Sequence, residues 1–169
     1  MDDEDLTSTR VFYGGINVYL DQHVPGWRYL PRWLTHVFDA PRLINWATSF
    51  GVSNDAAELG AMTVSMLRGP KGPQAREGEE LVRFLARDLK PDVVVFSNVL
   101  LAAEAQQLKT KFDGLVLCSL QGDDIFLEGL AEPWKSQAFE FLRPITAAID
   151  GFLLHSQFYG EFMGQYLGI

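Results

Sequence analysis

The sequence predicts an α/β domain built on a parallel, doubly wound sheet of the Rossmann-like kind. Three observations carry that prediction. Short apolar runs recur at 93–96, 115–120 and 152–154, the first as continuously apolar as a strand covered on both faces. Each run is announced by a turn pair: Pro91-Asp92, Asp113-Gly114 and Asp150-Gly151. Amphipathic helical patterns fill the intervals, and strands alternating with helices imply right-handed βαβ crossovers.

The elements follow in chain order. Residues 1–10 begin Met-Asp-Asp-Glu-Asp and read as an acidic, flexible leader. The domain is expected over 11–169. Only Val11-Phe12-Tyr13 is available as a first strand, so that strand is either very short or missing. Gly14-Gly15 then opens a helical pattern from Ile16 to Val24. Between residues 24 and 54 the chain carries Arg28, Arg32 and Arg42 against Asp39, interleaved with Trp27, Tyr29, Trp33, Phe38 and Trp46. This stretch reads as a helical insertion. Two roles are open for it: aromatics packed on the sheet, or contact with anionic lipid or a lipid-linked acceptor.

Thr63-Val64-Ser65-Met66-Leu67 is β-branched enough to predict a further strand. It runs into Arg68-Gly69-Pro70-Lys71-Gly72-Pro73, the strongest loop signal in the chain. Leu81, Val82, Leu85 and Leu89 form a stripe spaced for a helix over about 74–89. Asn98 is placed to cap the next helix, with Leu101, Ala105 and Leu108 on one face. Pro133 suits the first turn of a longer helix whose stripe is Trp134, Ala138, Phe141, Leu142, Ile145 and Ile149. Pro144 falls inside that stripe and is expected to kink or split it. Ser156 caps a last helix with Tyr159, Phe162, Met163 and Tyr166 inward, and Gly168 lies just past its end.

Composition narrows the function. At 169 residues and 47% hydrophobic, the chain fits one domain with a sizeable core, not a disordered or collagen-like polymer. A formal charge of −8 argues against a nucleic-acid partner. The single cysteine, Cys118, cannot form an intramolecular disulfide and favours a reducing compartment. No run approaches a membrane span, and an acidic start has the wrong charge for a signal peptide. A cytoplasmic location follows, or one at the inner membrane surface.

Ligands of such sheets bind beyond the carboxyl ends of the strands. The residues to inspect are therefore Arg68 to Gly72, Ser97-Asn98, Gln121 to Asp124, and His155-Ser156. Gln121 and Asp123 offer the paired acceptors and donors that suit a polyhydroxylated ligand, and Gly122 permits a sharp turn. Asp124 reads as a cap for a helix over Ile125 to Leu130. Gly14-Gly15 either presents backbone N–H groups to an anion at a helix start or merely frees that start. His23, His36 and His155 lack metal-ligand spacing, and Asp123-Asp124 has no further ligands nearby to complete a metal site. Cys118, inside an apolar strand, reads as inert core. No GxSxG elbow or P-loop occurs, which argues against a serine hydrolase or P-loop NTPase.

Five segments stand in a telling order along the chain: Tyr13-Gly14-Gly15-Ile16-Asn17-Val18-Tyr19-Leu20, Thr63 to Gly69, Lys90-Pro91-Asp92-Val93-Val94, Leu120 to Leu127, and Ser156 to Tyr159 with Phe162 to Ile169. In that order they resemble the N-terminal half of nucleotide-sugar glycosyltransferases of the GT-B fold, of the family-4-like retaining kind. The resemblance implies one half of a two-domain enzyme, with this half holding a sugar or lipid-linked acceptor. It implies that Gly14 and Gly15 lie on the donor-phosphate side, that Gln121 and Asp123 serve catalysis, and that Asn17, Asn98, Gly122 and Ser156 bind substrate. Gln121 stands where many relatives place a histidine. The donor would be a nucleoside diphosphate sugar, with no cofactor and no essential metal. The C-terminal donor-binding domain of the family has no counterpart in these residues, so the chain alone is expected to be inactive. The competing expectation is a non-catalytic α/β binding or interaction domain. A flavodoxin-like nucleotide or flavin binder is a third reading, opposed by the lack of a phosphate loop after a strong first strand.

Overall fold

The computed structural model describes residues 56–169. The leader, the Val11–Tyr13 strand, Gly14-Gly15, Asn17, the Ile16–Val24 helix and the 24–54 insertion lie outside the described residues.

The apolar runs do form strands: β1 Val93–Phe96, β2 Leu115–Ser119 and β3 Gly151–Leu153. They make a three-stranded sheet in the order β1-β2-β3, parallel throughout. Val94 pairs with Val116 and Phe96 with Cys118, which in turn pairs with Phe152. The helices are α1 Ala56–Leu67, α2 Ala75–Arg83, α3 Ala105–Lys111, α4 Asp123–Glu128, α5 Trp134–Thr146 and α6 Gln157–Leu167. The architecture is therefore α/β with a small open parallel sheet.

The segment expected as a further strand, Thr63–Leu67, is instead the last part of α1. Tertiary packing overrides its β-branched composition. Gly60, Val64 and Leu67 follow helical spacing and are all buried. Thr63 fits the helix because its hydroxyl donates to the Leu59 carbonyl at 2.8 Å. Helix α1 packs on α5 at Gly60, where a Cβ would sit 2.5 Å from Trp134 Cδ1. The close approach requires a residue without a side chain.

The expected 74–89 helix forms as α2, then changes winding to a π-type turn over Phe84–Leu89. That change rotates the end of the stripe: Val82 is buried, but Leu89 is exposed. Asn98 caps a short 3-10 turn, Val99–Leu101, by accepting from the Leu101 N–H at 3.0 Å. Ala105 and Leu108 face the core as expected, whereas Leu101 in that turn points to solvent. Pro144 does not split α5, which runs on to Thr146. A proline so near the end forfeits only the bond to the Glu140 carbonyl, and Glu140 is exposed to water. Ser156 caps α6, accepting from the Tyr159 N–H at 3.1 Å, and Gly168 ends it at φ 72°. Met163 and Leu167 are the buried residues of α6, while Phe162 is largely exposed.

Burial alternates along the strands. Val116 and Cys118 are fully buried and Phe96 nearly so, but Val93 and Val95 are 41% and 50% exposed. Val64, Leu67, Val82, Leu108, Leu142 and Met163 of the helices join Phe96, Val116 and Cys118 in one core, with Val94 packed against it, so the described helices cover that face of the sheet. On the other face Val93, Val95, Leu115 and Leu153 are exposed, so the described helices cover one face of the strands and not both.

Asp150 fixes the entry to β3. Its carboxylate accepts from the Val116 N–H at 2.9 Å and pairs with the Lys109 ammonium, while its own N–H donates to the Val116 carbonyl at 2.8 Å. The Lys109 ammonium, then the Val116 N–H, holds the Asp150 carboxyl below the ordinary aspartate value. A lowered folded value means stabilisation that is present above the unfolded value, about 4, and is lost as pH falls through the folded one. Asp150→Asn is therefore expected to lower stability at neutral pH and to flatten the acid limb below about pH 4. Chemical denaturation across pH reads both.

Two substitutions test the faces of the sheet. Val116→Asp is expected to abolish folding, since an unpaired charge in a covered strand costs several kcal/mol, on the order of the whole stability. Val95→Asp, on the open face, is expected to cost about 1 kcal/mol or less. Gly60→Ala is expected to cost about 1–3 kcal/mol by forcing α1 from Trp134. Circular-dichroism melts and urea titrations measure all three.

Candidate functional site

The carboxyl ends of the three strands lead into Ser97-Asn98, Gln121 to Asp124 and His155-Ser156, as expected. The Arg68–Gly72 loop is not a strand-end loop, because a helix precedes it. The amino edge of the sheet instead carries an open hollow lined by Lys90, Asp92, Phe112, Asp113 and Leu115.

Hydrogen bonds knit the carboxyl-edge loops into one rim. Asp123, only 3% exposed, accepts from the Val99 N–H at 2.9 Å through Oδ1 and from the Gln121 N–H at 3.1 Å through Oδ2. A carboxylate can leave water at this cost because charged acceptors make strong bonds to backbone donors. Gln121 lies exposed on the rim, and its Nε2 donates to the Ser97 carbonyl at 2.7 Å. That donation fixes which way the amide faces and turns Oε1 away from Ser97. Gly122 takes φ 92°, a left-handed conformation that side chains resist, with open space where a Cβ would project. Glycine is needed here for the turn rather than for room.

The third loop joins through α6. The Gly122 N–H donates to the Tyr159 hydroxyl at 2.8 Å, and that hydroxyl donates to Asp124 Oδ1 at 2.8 Å. Burial, then the Asp124 acceptor, pushes the Tyr159 phenol upward from its ordinary value. Asp124 therefore does not cap α4: Gly122 occupies the cap position and Asp124 serves Tyr159.

The structure thus brings Asn98, Gln121, Gly122, Asp123 and Ser156 to one edge. It also gives them unequal freedom. Ser156 Oγ and Asn98 Oδ1 are engaged as caps, and both Asp123 oxygens are engaged with backbone, so Asp123 acts through the loops it holds. Gln121 offers an accessible polar atom. Gly14, Gly15 and Asn17 lie outside the described residues. Tyr159 is the rim residue that sequence reasoning missed, having been placed as one more inward aromatic. Its hydroxyl was the available signal, because a tyrosine turned inward beside polar strand-end loops needs a partner.

No group of three or more possible metal ligands occurs among the described residues. None of their helices is long and apolar enough to cross a membrane. Cys118 is fully buried, and burial, then the Asp123 charge, pushes its thiol up to about 12.

Two measurements test these assignments. The Cys118 thiol is expected to resist a thiol-reactive reagent at pH about 8 in the folded chain and to react once unfolded, since only thiolate attacks. A fast-reacting native thiol would contradict the burial. Asp123→Asn is expected to cost about 2 kcal/mol, the scale of a hydrogen bond to a charged acceptor, read by urea denaturation.

Comparison of the chain with protein-family models, with curated proteins and with solved structures gives no match in any of the three.

Proposed function

We propose that the chain is the acceptor-side domain of a nucleotide-sugar glycosyltransferase. In this reading it forms one half of a doubly wound, GT-B enzyme of the family-4-like retaining kind. The whole enzyme would move a sugar from a nucleoside diphosphate donor to a hydroxyl acceptor. One observation carries the reading. Loops from three parallel strands meet in a rim of amide, carboxylate and peptide groups, with no lysine or arginine in 97–101, 120–124 or 154–159. Such a rim suits hydroxyls, which donate and accept, better than phosphates, which need cations.

The roles follow from freedom of the polar atoms. Gln121 would touch the sugar through Oε1, while Asp123 would position the turn that carries Gln121. Asn98, Gly122 and Ser156 would shape the walls. Gly14 and Gly15 would serve the donor phosphates, with Asn17 on the substrate side. Residues 24–54 would meet a lipid-linked acceptor at the inner membrane surface. The rate would come from electrostatic stabilisation of the leaving diphosphate in the closed cleft, with no metal or other cofactor required.

A second reading, a non-catalytic interaction domain, is favoured by the apolar open face at Val93, Val95, Leu115 and Leu153. Isotope-edited NMR separates the two. Methyl glucoside and UDP-glucose, titrated in turn, are expected to shift the amides of Asn98, Gln121 and Gly122 with millimolar affinity, about −4 kcal/mol. Amides of Lys90, Asp92 and Asp113, at the amino edge, are expected to stay still. No rim shift up to about 10 mM ligand, equivalent to binding weaker than about 3 kcal/mol, overturns the glycosyltransferase reading.

A further inference from the structure

We propose that Tyr159 is a positioning residue for the carboxyl-edge rim. Its hydroxyl sets the plane of the Gly122 peptide and, through it, the direction in which Gln121 leaves the turn. The ligand-binding part of this inference rests on the glycosyltransferase reading; the positioning part stands on geometry alone.

The turn after β2 has no lock of its own. Gly122 at φ 92° has no side chain to lock it, and open space surrounds the place where one would project. Glycine in such a turn samples other conformations readily, so the turn needs an external brace. Two braces are present. Asp123 ties the turn to the β1 side by accepting from Val99 and Gln121. Tyr159 ties it to α6 on the β3 side, taking the Gly122 N–H and giving its own proton to Asp124.

The tyrosine brace is directional. One hydroxyl accepts from residue 122 and donates to residue 124, so it grips the turn at two points on either side of the buried Asp123. Both bonds are 2.8 Å, ordinary good geometry for such pairs. The phenol is itself held. It belongs to the first turn of α6, whose start is fixed by the Ser156 cap on the Tyr159 N–H, and its ring stacks on Phe162 at a centroid distance of 6.3 Å. The position of the Gly122 peptide is thus referred to the α6 backbone. Gln121, one residue earlier, projects from the same turn, with its Nε2 directed to Ser97. A turn released from α6 would let that amide wander from its position over the rim.

Tyr166 provides a matched control on the same helix. Its hydroxyl donates to Glu128 Oε1 at 2.7 Å rather than to Asp124, the acceptor that Tyr159 uses. Tyr159→Phe and Tyr166→Phe each remove one hydroxyl from an aromatic ring of α6. If both hydroxyls serve stability alone, the two variants behave alike at the rim.

The test is run on the full chain with both variants. Tyr159→Phe is expected to speed hydrogen exchange of the Gly122 amide by about tenfold, the scale of one lost hydrogen bond, and to shift the Gln121 side-chain amide resonances. Tyr166→Phe is expected to leave both unchanged at a similar melting temperature. Asp124→Asn loosens the same hydroxyl from its other side without altering α6. It is expected to move the Gly122 amide in the same direction by less, and it serves if Tyr159→Phe does not fold. Unchanged Gly122 exchange and Gln121 shifts in the folded Tyr159→Phe variant overturn the proposal, as does an equal effect from Tyr166→Phe. Methyl glucoside is then titrated into each protein, with at least fivefold weaker affinity expected for Tyr159→Phe alone. Absence of rim binding in the unaltered chain sinks the glycosyltransferase reading, while the exchange data still decide the positioning role.

Discussion

A single buried carboxylate organises the carboxyl edge of this sheet. Asp123 gives up its hydration to hold backbone donors from two loops, one after β1 and one after β2. A buried anion of this kind is tolerable only when both oxygens are engaged, because an unpaired one would cost more than the fold can supply. The requirement constrains its surroundings. Val99 must present its N–H, so the chain after β1 must turn at once, and the Asn98 cap produces that turn. Gly122 must be left-handed so that the next residue points inward. The same charge also helps keep the neighbouring Cys118 protonated, which removes the one thiol from chemistry.

Much of the sheet was legible because parallel strands leave a strong imprint. Val93–Phe96 and Leu115–Ser119 are short, mostly apolar runs bracketed by turn residues, a length that suits strands and falls short of an ordinary helix. The failures share a cause, which is contact information absent from a single sequence. The β-branched residues of Thr63–Leu67 predict a strand, and the segment is helical. Its helical stripe begins at Gly60, a residue that looks like punctuation and is in fact the contact point with Trp134. The π-type turn at Phe84–Leu89 likewise leaves no mark in the spacing of leucines, yet it turns Leu89 outward. Pro144 lies two residues from the end of α5, where the penalty that a proline carries in a helix interior largely lapses.

The candidate site was legible by position and only partly by role. Topology alone points to Gln121, Gly122, Asp123 and Ser156, because strand ends are where such sheets present polar loops. Position does not say which atoms remain available. Asp123 is an attractive acid on paper, but its partners are peptide groups. Ser156 and Asn98 use their oxygens on helix starts. Gln121 keeps its accessibility because its donor end has a partner and its acceptor end does not point the same way. Tyr159 escaped notice because helical periodicity treats a tyrosine as a ring and ignores its hydroxyl.

The order β1-β2-β3 has a kinetic meaning as well as a geometric one. Among the described residues each strand lies beside the one that precedes it, so none of these three must be inserted between two others already paired. A parallel sheet ordinarily folds slowly, since every pairing waits on a long crossover. Here each crossover closes onto the most recent strand, which keeps the loops to be closed as short as parallel pairing permits. Assembly can then proceed in the direction of synthesis, with β1 displaying its edge to β2 and β2 to β3 as each leaves the ribosome. The Asp150 carboxylate, gripping Val116 and Lys109 just ahead of β3, acts in that sequence as the stop that sets where the last strand begins.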